Sequence, residues 1–162
     1  MILDIPYYRQ KKEYTCAAAC LRMIFMYFGT KKREGTITRA LGTNKEYGTP
    51  NSNVINLARK YGFYCYVHEE VAGINQVRHF IDLKLPIIVN YQEPRENIGH
   101  FAVVVGYTSD EIVLHDPVHM GRFRLKNAEF KRRWYGDSGH KKWILVLSRR
   151  KLSLGKQYDP ED

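Results

Sequence analysis

A cysteine stands where a polar loop turns into an apolar helix. In Gln10-Lys11-Lys12-Glu13-Tyr14-Thr15-Cys16-Ala17-Ala18-Ala19-Cys20-Leu21 the thiol of Cys16 falls in the first helical turn. Unpaired N–H groups and the helix dipole there favour the thiolate, which is the nucleophilic form. Far downstream, Gly99-His100-Phe101 supplies an imidazole, and His115-Asp116-Pro117 supplies a second imidazole and a carboxylate. A thiol, a base and an acid that orients the base are the working parts of a cysteine hydrolase. Gln10 lies in the same loop as Cys16, and its amide, with the Cys16 N–H, could donate to the oxyanion of a tetrahedral intermediate.

Other residues of the same types have plainer readings. Cys20 lies one turn further along an apolar helix face, and Cys65 lies between Tyr64 and Tyr66 in a strand. Both read as small buried hydrophobes. His115 is the rival base, but it alternates with Asp116 along a strand and should face the other way. His68, His79, His119 and His140 have no partner that the sequence names and read as surface or packing residues. Cys16 and Cys20 are spaced to reach one ion, yet structural zinc wants a closed set of four ligands and there is no second cysteine pair. Neither a metal nor another cofactor is expected. The chain also lacks a phosphate-cradling glycine loop, a Gly-x-Ser-x-Gly elbow and a paired-carboxylate motif.

The elements that must position these groups follow from patterning. Thr15 is placed to cap a helix over about residues 16–28, stopped by Gly29. Short helices are expected over 36–41, from Asn51 or Ser52 to Tyr61, and over 74–83. Strands are expected over 63–67, 86–91, 101–107, 111–115, 122–125 and 143–147, with a helix capped by Asn127 before the last. The arrangement is α+β, a helical first half followed by a mostly antiparallel second half. Thr108-Ser109-Asp110 reads as a three-residue hairpin loop, which pairs Tyr107 with Glu111. Counting back sets Ala102 opposite Asp116 and His100 diagonal to it on the same face. A loop shorter by one residue would put His100 and Asp116 on opposite faces.

The chain has 162 residues, 44% hydrophobic, enough for one domain with one core. That domain is expected over residues 1–150, with 151–162 a polar, frayed tail. No apolar run is long enough for a membrane span, and the first residues do not read as a secretory signal. The odd count of three cysteines argues against a disulfide framework and for a reducing, cytoplasmic location. The net charge of +9 is spread over clusters such as Lys31-Lys32-Arg33 and Lys131-Arg132-Arg133. These read as solvated faces rather than one stripe, so no nucleic-acid partner is expected.

Several segments, taken in order, carry a resemblance to a known family. They are Ile5-Pro6-Tyr7-Tyr8-Arg9-Gln10 with Cys16-Ala17-Ala18-Ala19-Cys20-Leu21-Arg22-Met23, then Gly48-Thr49-Pro50 and Ala58-Arg59-Lys60-Tyr61-Gly62-Phe63. Gly99-His100-Phe101-Ala102-Val103-Val104, Leu114-His115-Asp116-Pro117 and the stretch 130–134 complete the match, which covers about residues 3–136, and together the segments resemble the bacteriocin-processing (double-glycine leader) cysteine peptidases. The resemblance implies a papain-like fold with Cys16 as nucleophile, His100 as base, Asp116 as orienter and Gln10 as oxyanion donor. It further implies cleavage of a precursor after a Gly-Gly type site, often in a domain fused to an export transporter. Ala17 stands where that family often has glycine, and no membrane or nucleotide-binding portion follows, which implies a stand-alone member or an excised domain. The competing expectations are a non-catalytic module that binds peptides or an exporter, and a thiol amidase or isopeptidase. Keeping all four residues argues against the first of these.

Overall fold

A computed structural model describes residues 1–46, 48–70, 73–137, 139–155 and 157–161. Helices α1 (Cys16–Tyr27), α2 (Glu34–Leu41) and α3 (Asn51–Lys60) come first, then β1 (Tyr64–His68) and α4 (Ile74–Asp82). Strands β2 (Ile87–Gln92), β3 (Gly99–Tyr107), β4 (Glu111–His115) and β5 (Phe123–Lys126) lead to α5 (Asn127–Arg133) and β6 (Ile144–Ser148). The strands form one antiparallel sheet in the order β1-β6-β2-β3-β4-β5. This is the α+β arrangement expected from the sequence.

α1 is the central helix because nearly its whole circumference is apolar. Ala17, Ala18, Ala19, Cys20, Leu21, Met23, Ile24 and Phe25 are all buried. The run of alanines lets the helix approach β3 closely, and Gly29, at φ +87°, ends it. All six residues of β2 are buried. Successive strand residues point to opposite faces, so both faces of the sheet are covered at its centre. Thr15 sits at the N-cap of α1, but its hydroxyl does not cap the helix. It accepts from the Lys12 N–H (3.1 Å) and donates to the Lys12 carbonyl (2.9 Å), closing the preceding turn instead. Glu34, the buried first residue of α2, ties the same loop down by accepting the Lys11 N–H at 3.0 Å. Among the described residues no helix is long and apolar enough to cross a membrane.

The β3–β4 hairpin differs from expectation at its turn and agrees at its far end. Tyr107 pairs with Ile112 rather than Glu111, and Gly106 pairs with Val113. A bulge at Val105 then shifts the register, so that Val104 pairs with Leu114 and Val103 with His115. Continuing that register sets Ala102 opposite Asp116 and His100 diagonal to it. The longer turn alone would have sent the two to opposite faces, and the extra residue at Val105 reverses the slip.

The N-terminal segment is built onto the same place. β2 pairs with β3 only as far as Ile87↔Val104, which leaves the last residues of β3 without a partner on that side. Met1–Leu3 fills it: the Leu3 N–H donates to Val105 O (2.8 Å) and the Tyr107 N–H to Met1 O (2.9 Å), with Ile2 bridging Gly106. Gly106 is required by this approach. A Cβ there would lie 2.6 Å from the Met1 carbonyl oxygen and 2.8 Å from Ile2 Cα. Gly106→Ala should therefore cost about 1–3 kcal/mol of stability by overpacking, read as a lower urea midpoint.

Candidate active site

The first turn of α1 presents Cys16 to a cleft of about 640 Å³, lined also by His100, Phe101, Thr49, Asn51 and Trp143. The backbone N–H groups of Phe101, Ala17 and Cys16 itself are near enough to lower the thiol pKa. Phe101 follows His100 on β3, so the sulfur lies beside the strand that carries the imidazole. His100 is buried, and its Nε2 lies 2.8 Å from Asp116 Oδ2. With Nε2 bonded to the carboxylate, Nδ1 is the ring nitrogen left for the thiol.

Asp116 has no exposed surface. A buried carboxylate is costly unless donors surround it, and here they do. Tyr91 is the cross-strand partner of His100, and its hydroxyl donates to the same Oδ2. The Tyr91 and His100 rings meet edge to face at 5.3 Å. Oδ1 accepts the N–H groups of Val118 (2.8 Å) and His119 (3.0 Å), and the Asp116 carbonyl accepts the Tyr7 hydroxyl (2.6 Å). Burial raises the carboxyl pKa, but the bonds from His100, Tyr91 and the His119 N–H outweigh it and bring the pKa down to about 2. Burial, then the Asp116 charge, pushes the Tyr91 phenol far up, so it remains a donor.

Cys16 does not show the lowered pKa expected at a helix start. Burial raises it to about 11, more than the three N–H groups lower it. The surroundings of Cys16 thus favour the neutral thiol over the thiolate. Cys20 is fully buried one turn on and its thiol is pushed up by burial and by Cys16. Cys65 is buried beneath α3 and burial raises it to about 12. Both are packing residues, as expected.

Gln10 stands apart from the cleft lining. Its Nε2 donates to the carbonyls of Lys12 (2.8 Å) and Glu13 (3.1 Å), and its Oε1 is buried with no hydrogen-bond partner among the described residues. His115 has both nitrogens engaged with backbone: Nε2 donates to Ile5 O (2.7 Å) and Nδ1 accepts the Arg122 N–H (3.1 Å). Burial lowers its pKa. It therefore cannot serve as the base, and it fastens the N-terminal segment to β4. Two histidines read as unpartnered do have acid partners. His119 Nε2 lies 2.7 Å from Glu93 Oε2 and stacks on Phe123, and His140 Nδ1 lies 2.7 Å from Glu69 Oε1. Sequence reasoning missed Tyr91 and Tyr7 as supports of Asp116. The available signal was Tyr91 itself, a phenol inside a buried strand that must find a partner.

The sequence profile of the peptidase C39 family matches residues 4–138. No curated protein matches the chain. Among solved structures, the peptidase domain of Streptococcus ComA, a bifunctional ABC transporter of a quorum-sensing pathway, is similar at TM-score 0.73 and 21% identity, over 89% of this chain and 98% of that one. A double-glycine-motif protease from an AMS/PCAT transporter, solved with its leader peptide, is similar at TM-score 0.72 and 21% identity, over 90% and 92%. A structure described as a C39-like peptidase from Bacillus anthracis is similar at TM-score 0.75 and 13% identity, over 93% and 98%. At these identities the likeness concerns the fold.

The Asp116 carboxyl titrates lower in the folded chain than the 3.8 of an unperturbed aspartate. Its ionised form therefore adds about 2 kcal/mol of stability, complete above about pH 5 and lost as pH falls through about 4 to 2. In urea titrations, Asp116→Asn should flatten the acid limb of the stability profile over that window.

Proposed function

The chain belongs to the peptidase C39 family and is a cysteine peptidase, and from that premise we propose that Cys16, His100 and Asp116 carry the hydrolysis. The observation that carries the assignment is that Cys16 and His100 line one cleft while Asp116 holds the far side of the imidazole. His100 Nδ1 takes the thiol proton as sulfur attacks the scissile carbonyl. The carbon–sulfur bond forms and the carbonyl π pair moves onto oxygen. Collapse of the intermediate breaks the carbon–nitrogen bond, and the imidazolium returns the proton to the departing amine. Water, deprotonated by the same nitrogen, then attacks the thioester and releases the acid and the thiol. Asp116, held ionised, keeps the proton on Nε2 and offsets the imidazolium charge.

The Cys16 N–H and the Gln10 amide are the proposed oxyanion donors. Both hydrogens of that amide are now spent on the Lys12 and Glu13 carbonyls. The developing oxyanion, a charged acceptor, competes with those neutral carbonyls for the amide. The likeness to the ComA domain and to the transporter protease with its leader peptide supports a precursor peptide as substrate, cut after a Gly-Gly type site, with an exporter as partner. A reducing, cytoplasmic setting suits a nucleophile that must stay reduced.

Cleavage of a synthetic leader peptide ending in Gly-Gly tests this directly. Cys16→Ala should lose more than about a thousandfold in turnover while Cys20→Ala stays active. Gln10→Ala should lose on the order of a hundredfold. Undiminished cleavage by Cys16→Ala rejects the nucleophile. Equal rates on leaders with the two glycines replaced by leucine reject the Gly-Gly preference.

A further inference from the structure

Two of the N–H groups on Asp116 come from one short turn, and that turn is anchored from outside the cleft. Asp116 Oδ1 accepts the N–H groups of Val118 and His119, and the Asp116 N–H donates to Met120 O (3.1 Å). Residues 116–120 thus fold back on the carboxylate. A turn without buried contacts opens locally at little cost. The His119 side chain supplies those contacts. Its Nε2 lies 2.7 Å from Glu93 Oε2, and its ring lies flat on Phe123 at the start of β5, with centroids 4.7 Å apart.

Glu93 is a fixed anchor. It follows β2 directly and is buried. Its N–H donates to Ile98 O (3.0 Å) and its carbonyl accepts the Asn97 N–H (2.9 Å), which closes the β2–β3 turn. Its carboxylate accepts the N–H groups of Arg95 (2.9 Å) and Glu96. Burial raises the Glu93 pKa, but those N–H groups and the bond from His119 outweigh it and hold the carboxyl below its ordinary value. An ionised Glu93 only accepts, so His119 Nε2 carries the proton between them. The end of β2 therefore reaches Asp116 twice: directly through Tyr91 on Oδ2, and through Glu93 and His119 to the N–H groups on Oδ1. The turn has a second attachment. Pro117 O accepts the Gln10 N–H (3.0 Å), so the loop that carries the proposed oxyanion donor is tied to the same residues. Neither Glu93 nor His119 lines the cleft.

We propose that His119 is a positioning residue for the hydrolysis: held by Glu93, its side chain fixes the 116–120 turn, and through that turn the Asp116 carboxylate behind His100 and the loop that carries Gln10. It acts through these groups and does not touch the substrate. This deepens the peptidase reading and rests on it for the reaction that the turn serves.

His119→Gln and His119→Asn separate this role from packing. Glutamine can set an amide N–H about where the imidazole Nε2 stands, whereas asparagine stops short of Glu93. Both side chains suit a turn, so both variants should fold. Each is read for kcat and KM on a leader peptide ending in Gly-Gly. Each is also read, with no peptide present, for titration of the Asp116 carboxyl by carbon-detected NMR, assigned against Asp116→Asn. His119→Asn should lose about tenfold in kcat with KM little changed. Its Asp116 carboxyl should titrate above the wild-type value of about 2. His119→Gln should keep both wild-type properties. An unmoved Asp116 titration in His119→Asn, or the same kcat in the two variants, overturns the proposal. If the wild type cleaves no peptide, yet the Asp116 titration moves in His119→Asn and not in His119→Gln, the peptidase reading fails and the placement of Asp116 by His119 stands.

Discussion

A carboxylate sealed from solvent governs the arrangement of this chain. Asp116 has no exposed surface and is ionised, so the protein must bring donors to it. They come from different parts of the sequence: His100 from β3, Tyr91 from β2, and the N–H groups of Val118 and His119 from the turn after β4. The N-terminal segment adds Tyr7 on the Asp116 carbonyl. Removing one donor would leave the charge under-compensated in a low-dielectric surrounding, where that is most costly. This constraint fixes the orientation of His100, and through it which imidazole nitrogen is turned toward the cleft.

The register of the sheet serves the same end. Side chains in a strand alternate faces, so a slip of one residue between β3 and β4 would separate imidazole from carboxylate. The hairpin does slip at its turn, and the bulge at Val105 restores the pairing before the strands reach the site. The bulged end of β3 is also where Met1–Leu3 docks, against a glycine that leaves room for its backbone. The same N-terminal segment goes on to meet His115 through Ile5 and Asp116 through Tyr7.

Electrostatics at the sulfur run against the simplest view of a helix start. The dipole and the neighbouring backbone N–H groups favour the thiolate, but burial among α1, β3 and the cleft walls outweighs them and raises the Cys16 pKa to about 11. A segment bridged to β1 at Cys65 brings the Tyr158 ring to the same cleft, held by main-chain bonds that depend little on side-chain identity.

The sequence by itself determined the element order, the central helix, the α+β class and the residues Cys16, His100 and Asp116 as candidates. Those features are local: a loop-to-helix boundary, apolar periodicity, and short motifs on strands. It also pointed to the right face relation between His100 and Asp116, though through a turn that is one residue longer than read and a bulge that no pattern announced. Tyr91 and Tyr7 around the carboxylate, the backbone-locked His115, the raised thiol pKa, the inward-turned Gln10 amide and the docking of Tyr158 on β1 were decided only by the tertiary structure. Each depends on what a distant segment places beside the residue and on how much solvent is excluded there. Neighbours along the chain carry no record of either, because hydrogen-bond partners across a sheet and the desolvation of a charge exist only once the layers have closed.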